Sequence, residues 1–139
     1  MIRFVIDASV MGPLLFQDEA DASLAMLPGA LAEAACIVPS HWRLEVANQL
    51  ISGVRRKRAT SAEAVCTLAD LDELPVHIDS LTADQCWSRT YALAERHGLT
   101  IYDAAYLELA ERLKLPLVSF DADLVKAARA DAIEAMSRP

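Results

Sequence analysis

The sequence has few cysteines, no long apolar run and no excess of basic residues, and each shortage argues against a class of protein. Its three cysteines, Cys36, Cys66 and Cys86, are far apart and form no Cys-x-x-Cys pair, so neither a disulfide framework nor a zinc knuckle is expected. No apolar run reaches the roughly 18 residues of a membrane-spanning helix. The first residues lack the basic region and cleavage site of a secretory signal. We therefore expect no membrane association and a cytoplasmic protein in a reducing compartment.

Positive charge is also scarce. Thirteen Lys and Arg residues against twenty Asp and Glu residues give a formal net charge of −7, whereas a general nucleic-acid-binding protein is usually basic. A nuclease is not excluded, because acids gathered around a metal make a domain acidic and still bring phosphate to that metal. The basic run Arg55 to Arg58 is either a solvated helix end or a contact for a nucleic acid or an acidic partner.

The pattern of short apolar runs indicates one domain, residues 1–139, with an α/β fold. Hydrophobic residues make up 54% of the chain, which is enough for a proper core. Short strands that alternate with longer helices favour βαβ units, a parallel sheet and helices on both faces. The predicted strands are Phe4–Ile6, Cys36–Val38, Pro75–Asp79, Leu115–Phe120 and a weak fifth over Ala132–Ala135.

Helix boundaries are marked by caps and breakers. Capping boxes begin at Thr60, Thr82 and Thr100, Ser40 is a candidate N-cap, and Gly98 suits a helix end. Gly12-Pro13 predicts a late helix start. The expected helices are Ala22–Ala35 with an interruption at Pro28-Gly29, His41–Arg56 with an apolar stripe of Leu44, Ala47, Ile51 and Val54, Thr60–Leu71, Thr82–His97, Thr100–Leu113 and Asp123–Ala130.

The first strand ends at an acid. Phe4-Val5-Ile6 fits a strand buried on both faces, and Asp7 follows it directly. In open parallel sheets ligands lie beyond the carboxyl ends of the strands, and a bare carboxylate there suits a hard cation such as Mg²⁺ or Mn²⁺. The alternative is that Asp7 caps the helix that follows.

Three further acids are expected at the same end of the fold. Asp121 follows the fourth strand, and Glu45 and Asp103 lie near helix starts. Four carboxylates there would repel one another unless a divalent cation neutralised them, and hard oxygen ligands select Mg²⁺ or Mn²⁺ over zinc. Each acid also has a structural explanation, since Asp103 completes a capping box, Asp121 suits a helix cap and Glu45 suits a solvent-facing position.

Several polar residues flank these acids. Ser9 and Ser119 each lie two residues from an acid, and Asn48 lies one turn after Glu45. Their side chains are candidates to orient a carboxylate or a metal-bound water. The additional acid Asp123 receives no role.

These motifs, in this order, resemble those of PIN-domain ribonucleases, and most closely the VapC-type toxins of toxin–antitoxin pairs. The resemblance covers nearly the whole chain. It departs at Gly12-Pro13, where many relatives continue straight into a helix, and at Ser119, where threonine is frequent. The motifs are Val5-Ile-Asp7-Ala-Ser9-Val, Glu45 in a helix after Pro39-Ser40, Tyr102-Asp103-Ala-Ala-Tyr106-Leu, and Leu117-Val-Ser119-Phe-Asp121-Ala-Asp-Leu124.

The resemblance implies a three-layer α/β/α PIN-like fold with a central parallel sheet of four to five short strands. It implies a Mg²⁺- or Mn²⁺-dependent endoribonuclease with metal and catalytic roles for Asp7, Glu45, Asp103 and Asp121. It also implies a homodimer and an antitoxin that occupies the site. Apolar residues of the early helices suit such interfaces: Met11, Leu14, Leu15, Phe16, Leu24, Met26 and Leu27.

The expected chemistry is hydrolysis of RNA by a metal-activated water, which leaves a 5′-phosphate and a 3′-hydroxyl. His41, His77 and His97 fall in no shared motif, so no histidine base is expected, and no Ser-His-Asp order is present. Alternatives are a housekeeping PIN nuclease that acts on RNA or DNA, a catalytically silent PIN binding module, and a phospho-acceptor signalling module. The last fits poorly because the first strand is followed by a single acid.

Overall fold

A five-stranded, all-parallel sheet with the strand order β3-β2-β1-β4-β5 organises the fold. The computed structural model describes residues 2–20 and 27–137. The strands are β1 (Arg3–Ile6), β2 (Ala35–Val38), β3 (Val76–Ile78), β4 (Leu117–Val118) and β5 (Ala135–Met136). The helices are α1 (Gly12–Leu15), α2 (Leu27–Glu33), α3 (Trp42–Arg55), α4 (Ser61–Asp72), α5 (Thr82–Gln85), α6 (Arg89–His97), α7 (Ile101–Leu113) and α8 (Ala122–Ala130), with 3₁₀ turns at Ala8–Met11 and Gln17–Glu19.

The central strand β1 is covered on both faces. Val5 and Ile6 are both fully buried, although successive strand residues point to opposite faces. Val5 pairs with Ile37 of β2 on one side and with Leu117 of β4 on the other. The predicted α/β class and the parallel sheet are therefore confirmed, and the first and fourth strands are neighbours in that sheet.

Most predicted element boundaries agree with the structure. Thr60 and Thr100 accept the N–H groups of Glu63 and Asp103 and so cap α4 and α7. Gly98 ends α6 with a left-handed φ of 66°, and Gly12-Pro13 begins α1 as expected. The strands are short, and β5 begins later than the sequence predicts.

Two predicted helix caps are wrong, although both helices begin within one residue of the predicted position. Thr82 does not cap a helix, since its hydroxyl donates to Asp79 Oδ2 at 2.9 Å and accepts the N–H of Ser40 at 3.1 Å. Ser40 makes no cap either, because α3 begins after His41 without a side-chain cap. The helix predicted over Thr82–His97 is two helices, separated at residues 86–88.

The apolar stripe predicted for α3 is on the wrong face. Leu44 and Ile51 are exposed, and the buried residues of the helix are Trp42, Val46, Leu50 and Gly53. Both faces carry apolar side chains, so periodicity alone could not select between them. The buried face contains Gly53, which brings the helix close to the ring of Phe16.

The early apolar residues that the structure describes lie in the core or pack against it. Met11, Leu15 and Phe16 are buried, and Leu14 packs against the core. Pro28-Gly29 lies in the first turn of α2, and the segment that it is predicted to interrupt or end lies outside the described residues. The rest of the helix predicted over Ala22–Ala35 lies partly outside the described residues, as do Leu24, Met26 and the Leu27 side chain. Within the described ranges, no helix is both long and apolar enough to span a membrane.

Candidate metal centre

Asp7 is the most enclosed of the four predicted acids. It follows the central strand, its N–H donates to Val118 of β4 at 2.9 Å, and it is only 4% exposed. Its Oδ2 accepts hydrogen bonds from Ser9 Oγ at 2.6 Å and Ser119 Oγ at 2.7 Å. Its side chain makes no capping contact with the turn that follows, so the capping alternative for Asp7 is wrong.

The two serines join the ends of β1 and β4. Ser9 Oγ accepts the N–H of Phe120 at 3.0 Å, and Ser119 Oγ accepts the N–H of Asp121 at 3.0 Å. Both serine hydroxyls therefore contact the Asp7 carboxylate, and Ser119 does so from the neighbouring strand end although it lies beside Asp121 in the sequence. These bonds also fix the backbone of Asp121 relative to Asp7.

Glu45 reaches the site from the first turn of α3. Its Oε1 accepts the Tyr106 hydroxyl at 2.8 Å and lies 2.9 Å from His41 Nε2. The side chain is 32% exposed, so Glu45 is anchored rather than simply solvent-facing. Because Tyr106 belongs to α7, this contact joins the two helices that carry Glu45 and Asp103.

Asp121 caps α8, as one of the two sequence interpretations predicts. Its Oδ1 accepts the N–H groups of Asp123 at 2.9 Å and Leu124 at 3.2 Å. Asp123 is exposed and contributes its backbone N–H. Capping does not prevent a second role for Asp121, because both bonds fall on the same carboxylate oxygen.

The four carboxylates lie close enough to interact electrostatically. Burial raises the pKa of Asp7, the bonds from Ser9 and Ser119 oppose this, and the charges of Glu45 and Asp121 raise it further. Burial also raises the pKa of Asp103, together with the charges of Asp7, Asp121 and Glu45, while Thr100 opposes the shift. Repulsion of this kind is what a bound cation would relieve.

The donor chemistry of the four acids fits a hard divalent cation, but their side chains are not gathered closely around one point. All four acids offer oxygen, the donor that Mg²⁺ and Mn²⁺ prefer. Among residues 2–20 and 27–137, no three His, Cys, Asp or Glu side chains are gathered tightly enough to enclose an ion. Asp7 and Asp121 follow the strands β1 and β4, and Glu45 and Asp103 lie in the first turns of α3 and α7.

Comparison with known proteins identifies the family of this chain. A family model described as PIN domain matches residues 4–130, a range that contains all four acids and both serines. The chain belongs to the PIN-domain family. Ribonuclease VapC3 of Mycobacterium tuberculosis is 34% identical over 128 residues, which cover 90% of this chain and 87% of that protein. The family resemblance drawn from the sequence is confirmed.

Solved structures agree on the fold of this PIN domain. The crystal structure of PAE2754 from Pyrobaculum aerophilum is 25% identical, with a TM-score of 0.66 over 91% of this chain and 86% of that one. VapBC2 from Rickettsia felis, bound to a DNA fragment from its promoter, is 15% identical, with a TM-score of 0.64 over 99% and 100% of the two chains. At 15% identity the likeness shows the fold alone.

His41 is a site residue that the sequence prediction missed. Its Nε2 lies 2.9 Å from Glu45 Oε1 and 3.0 Å from the Tyr102 carbonyl oxygen. Both partners are acceptors, so Nε2 carries a hydrogen. Burial lowers the pKa of His41, but the hydrogen bond and charge of Glu45, the Tyr102 carbonyl and the charge of Asp103 outweigh it, and the net shift is upward. The spacing of four residues to Glu45 could have indicated this contact.

Two other residues of the PIN domain were also overlooked. Tyr106 lies one turn after Asp103 and is fully buried, and its pKa is raised by burial and by the charges of Glu45 and Asp7. Gln49 donates to the Ala8 carbonyl at 3.0 Å and so holds α3 to the segment after Asp7. The sequence prediction named its neighbour Asn48, which is exposed and whose side chain makes no hydrogen bond within the described ranges.

The basic run lies far from the carboxylates. Arg55 is ten residues after Glu45 on the same helix, which is about 15 Å along its axis. Arg58 pairs with Asp18 at 2.8 Å and Glu19 at 2.6 Å, and its guanidinium lies 4.0 Å from the centroid of Phe16. The acidic partner of Arg58 is therefore within this chain.

Proposed function

We propose that this PIN domain is a Mg²⁺- or Mn²⁺-dependent endoribonuclease that hydrolyses RNA phosphodiester bonds. The observation that carries the proposal is the set of four carboxylates from separate elements that interact around the buried Asp7. A charge buried at this depth is costly without a compensating partner. The name of the relative from Mycobacterium tuberculosis, Ribonuclease VapC3, supports the same activity.

We assign the roles of the four acids by how firmly each side chain is held in place. Asp7 is fixed by two hydroxyls and by β4, and Asp103 by the capped start of α7, so these two define the site. Glu45 and Asp121 each have one oxygen engaged by neighbours within the chain. The second oxygen of either carboxylate is the candidate to orient the attacking water and take its proton.

The proposed reaction is a direct displacement. A divalent cation held by these acids would polarise the scissile phosphate and lower the pKa of a bound water. The water oxygen forms a bond to phosphorus while the bond from phosphorus to the 3′ oxygen breaks. The products are a 5′-phosphate and a 3′-hydroxyl that takes its proton from solvent.

Purified protein on a defined RNA tests the activity, with Mg²⁺, Mn²⁺ or EDTA. We expect cleavage only with metal, and at least a hundredfold loss, an order of magnitude estimated as about 3 kcal/mol of transition-state stabilisation, in Asp7→Asn and Asp103→Asn. Asp70→Asn, an exposed acid of α4, is the matched control. Cleavage that survives EDTA and both substitutions would falsify the proposal, and cyclic-phosphate ends would assign the attack to the RNA 2′-hydroxyl.

The cellular role proposed is that of a toxin restrained by a cognate antitoxin protein. The support is the VapC name of the relative from Mycobacterium tuberculosis. The test is to add the product of a small reading frame next to the gene to the cleavage assay. Stoichiometric inhibition supports the toxin role. Unaltered cleavage favours a housekeeping nuclease, and no cleavage under any condition favours a silent binding module.

The homodimer is a proposal as well. Of the early apolar residues named for this interface, Met11, Leu15 and Phe16 are buried in the core, and Leu24 and Met26 lie outside the described residues. Large hydrophobic side chains are exposed elsewhere, including Leu44 on α3 and Val65 on α4, and grouped apolar surface marks interfaces. Light scattering of the purified chain should give twice the mass of 15.2 kDa, and a monomer at high concentration would contradict it.

A further inference from the structure

Tyr102 presents an exposed aromatic ring beside the four carboxylates. It lies directly before Asp103 in the first turn of α7 and is 66% exposed. Its carbonyl oxygen accepts a hydrogen bond from His41 Nε2 at 3.0 Å. The two rings meet at 63° with centroids 5.8 Å apart. The helical backbone and His41 thus fix the ring relative to Asp103, while most of its surface stays open to solvent.

A second aromatic contact makes this support rigid. The His41 ring also meets the ring of the buried Tyr106, with centroids 5.4 Å apart at 69°. Tyr106 in turn donates its hydroxyl to Glu45. Tyr102 is therefore connected through His41 to the buried Tyr106, and it is supported by the core.

The negative charge of the protein does not attract RNA to this edge of the sheet. The chain carries a net charge of −7, and the site itself consists of carboxylates. The basic run lies at the opposite end of α3, and Arg58 in it is paired with Asp18 and Glu19. Phosphate contacts ordinarily dominate affinity for nucleic acid. With no free basic surface shown at this edge by the described residues, a further attraction is needed beside that of the proposed cation.

We infer that Tyr102 is a stacking platform for an unpaired nucleobase next to the scissile phosphate, supported at its edge by His41. The inference rests on the proposed ribonuclease function. Every base has a flat π-face, so stacking on an aromatic ring binds single-stranded RNA with little regard to sequence. Bases inside a duplex are already stacked on their neighbours, and the ring would therefore select loops and single strands.

Binding to two RNA-like probes isolates the ring–base contact. The probes are fluorescein-labelled decamers, one of adenosine and one of abasic ribose phosphate, measured by anisotropy in Mg²⁺ with Asp7→Asn as the uncut background. In that background Tyr102→Leu should weaken binding of the adenosine decamer roughly tenfold and leave the abasic decamer unchanged. Tyr102→Phe should retain the affinity. Tyr91→Leu, which alters a tyrosine of α6 with 58% exposure, is the matched control.

Three results would overturn the inference: an equal loss on both probes, no loss on the adenosine decamer, or a change of mass in light scattering that makes Tyr102 part of an interface between copies. Cleavage assays separate this outcome from failure of the proposed function. If the unsubstituted chain cleaves RNA and Tyr102→Leu has an unchanged KM, the platform is wrong and the nuclease stands. The opposite case is that the unsubstituted chain cleaves no RNA while Tyr102→Leu weakens binding of the adenosine decamer alone. In that case the stacking role of Tyr102 is supported and the proposed ribonuclease function is wrong.

Discussion

Asp7 is held in a position where a carboxylate is costly to ionise. Two serine hydroxyls donate to it, yet burial and the charges of Glu45 and Asp121 leave its pKa above the usual value. A carboxyl whose pKa is raised on folding destabilises the folded state above that pKa, because the unfolded chain ionises more readily. The site thus carries a stability cost that the metal would remove.

Replacing Asp7 should therefore stabilise the metal-free protein. In EDTA at pH 7, Asp7→Asn should raise Tm by a few degrees. The gain should shrink as the pH falls through the ordinary carboxyl value of 3.8, because below that value Asp7 becomes neutral in both the folded and the unfolded state. Calorimetry at pH 7 and pH 4 measures both. In Mg²⁺ the order should reverse, since the unsubstituted chain gains more from binding.

Asp70→Asn is again the control and should change Tm little at either pH, because this side chain is exposed. A lower Tm for Asp7→Asn in EDTA, or a gain that does not depend on pH, would contradict the electrostatic account.

Some site residues can be recognised from local sequence, and others only from tertiary contacts. Asp7, Ser9, Ser119 and Asp121 flank strand ends, so neighbours along the chain reveal them. His41 and Tyr106 meet only because α3 and α7 pack at the same edge, a contact between residues 65 positions apart that no local pattern contains.

Helix caps show why local patterns mislead within elements. Thr60, Thr82 and Thr100 begin the same kind of sequence, and two of them cap a helix. Thr82 instead finds Asp79 and the N–H of Ser40. Its tertiary partners outcompete the local bond. The buried strands were predictable because their apolar side chains do not have to choose between a local and a tertiary hydrogen-bond partner.

The packing of α3 depends on a glycine. At Gly53 an added Cβ would meet the ring of Phe16, which is buried beneath Arg58. Gly53→Ala would gain about 1 kcal/mol of helix propensity, and overpacking costs about 1–3 kcal/mol. We expect a net loss of unfolding free energy of about 1 kcal/mol, measured by urea denaturation.

Gly29→Ala is the matched comparison, because Gly29 lies in α2 with open space around its Cβ position. That substitution should be neutral or slightly stabilising. If both variants behaved alike, close approach of α3 to Phe16 would not be what requires glycine at position 53.

Across the whole molecule, negative charge and the placement of basic residues constrain how RNA can bind. The net charge is −7, and the basic run is about 15 Å along α3 from Glu45. A protein that neutralises many phosphates releases counterions and loses affinity steeply as salt rises. This chain lacks the surplus of basic residues that such binding needs, and salt would also screen its repulsion of RNA.

Cleavage should therefore depend only weakly on salt. At saturating Mg²⁺, KM for a single-stranded RNA should change less than about tenfold between about 50 and 200 mM KCl, whereas six to ten phosphate contacts would cost roughly 10³–10⁵ in affinity. Arg56→Gln should leave the salt dependence unaltered, because that residue lies beyond the far end of α3. A steep rise in KM that Arg56→Gln flattens would instead make the basic run an RNA contact, and the substrate would then have to extend along the whole helix from Glu45.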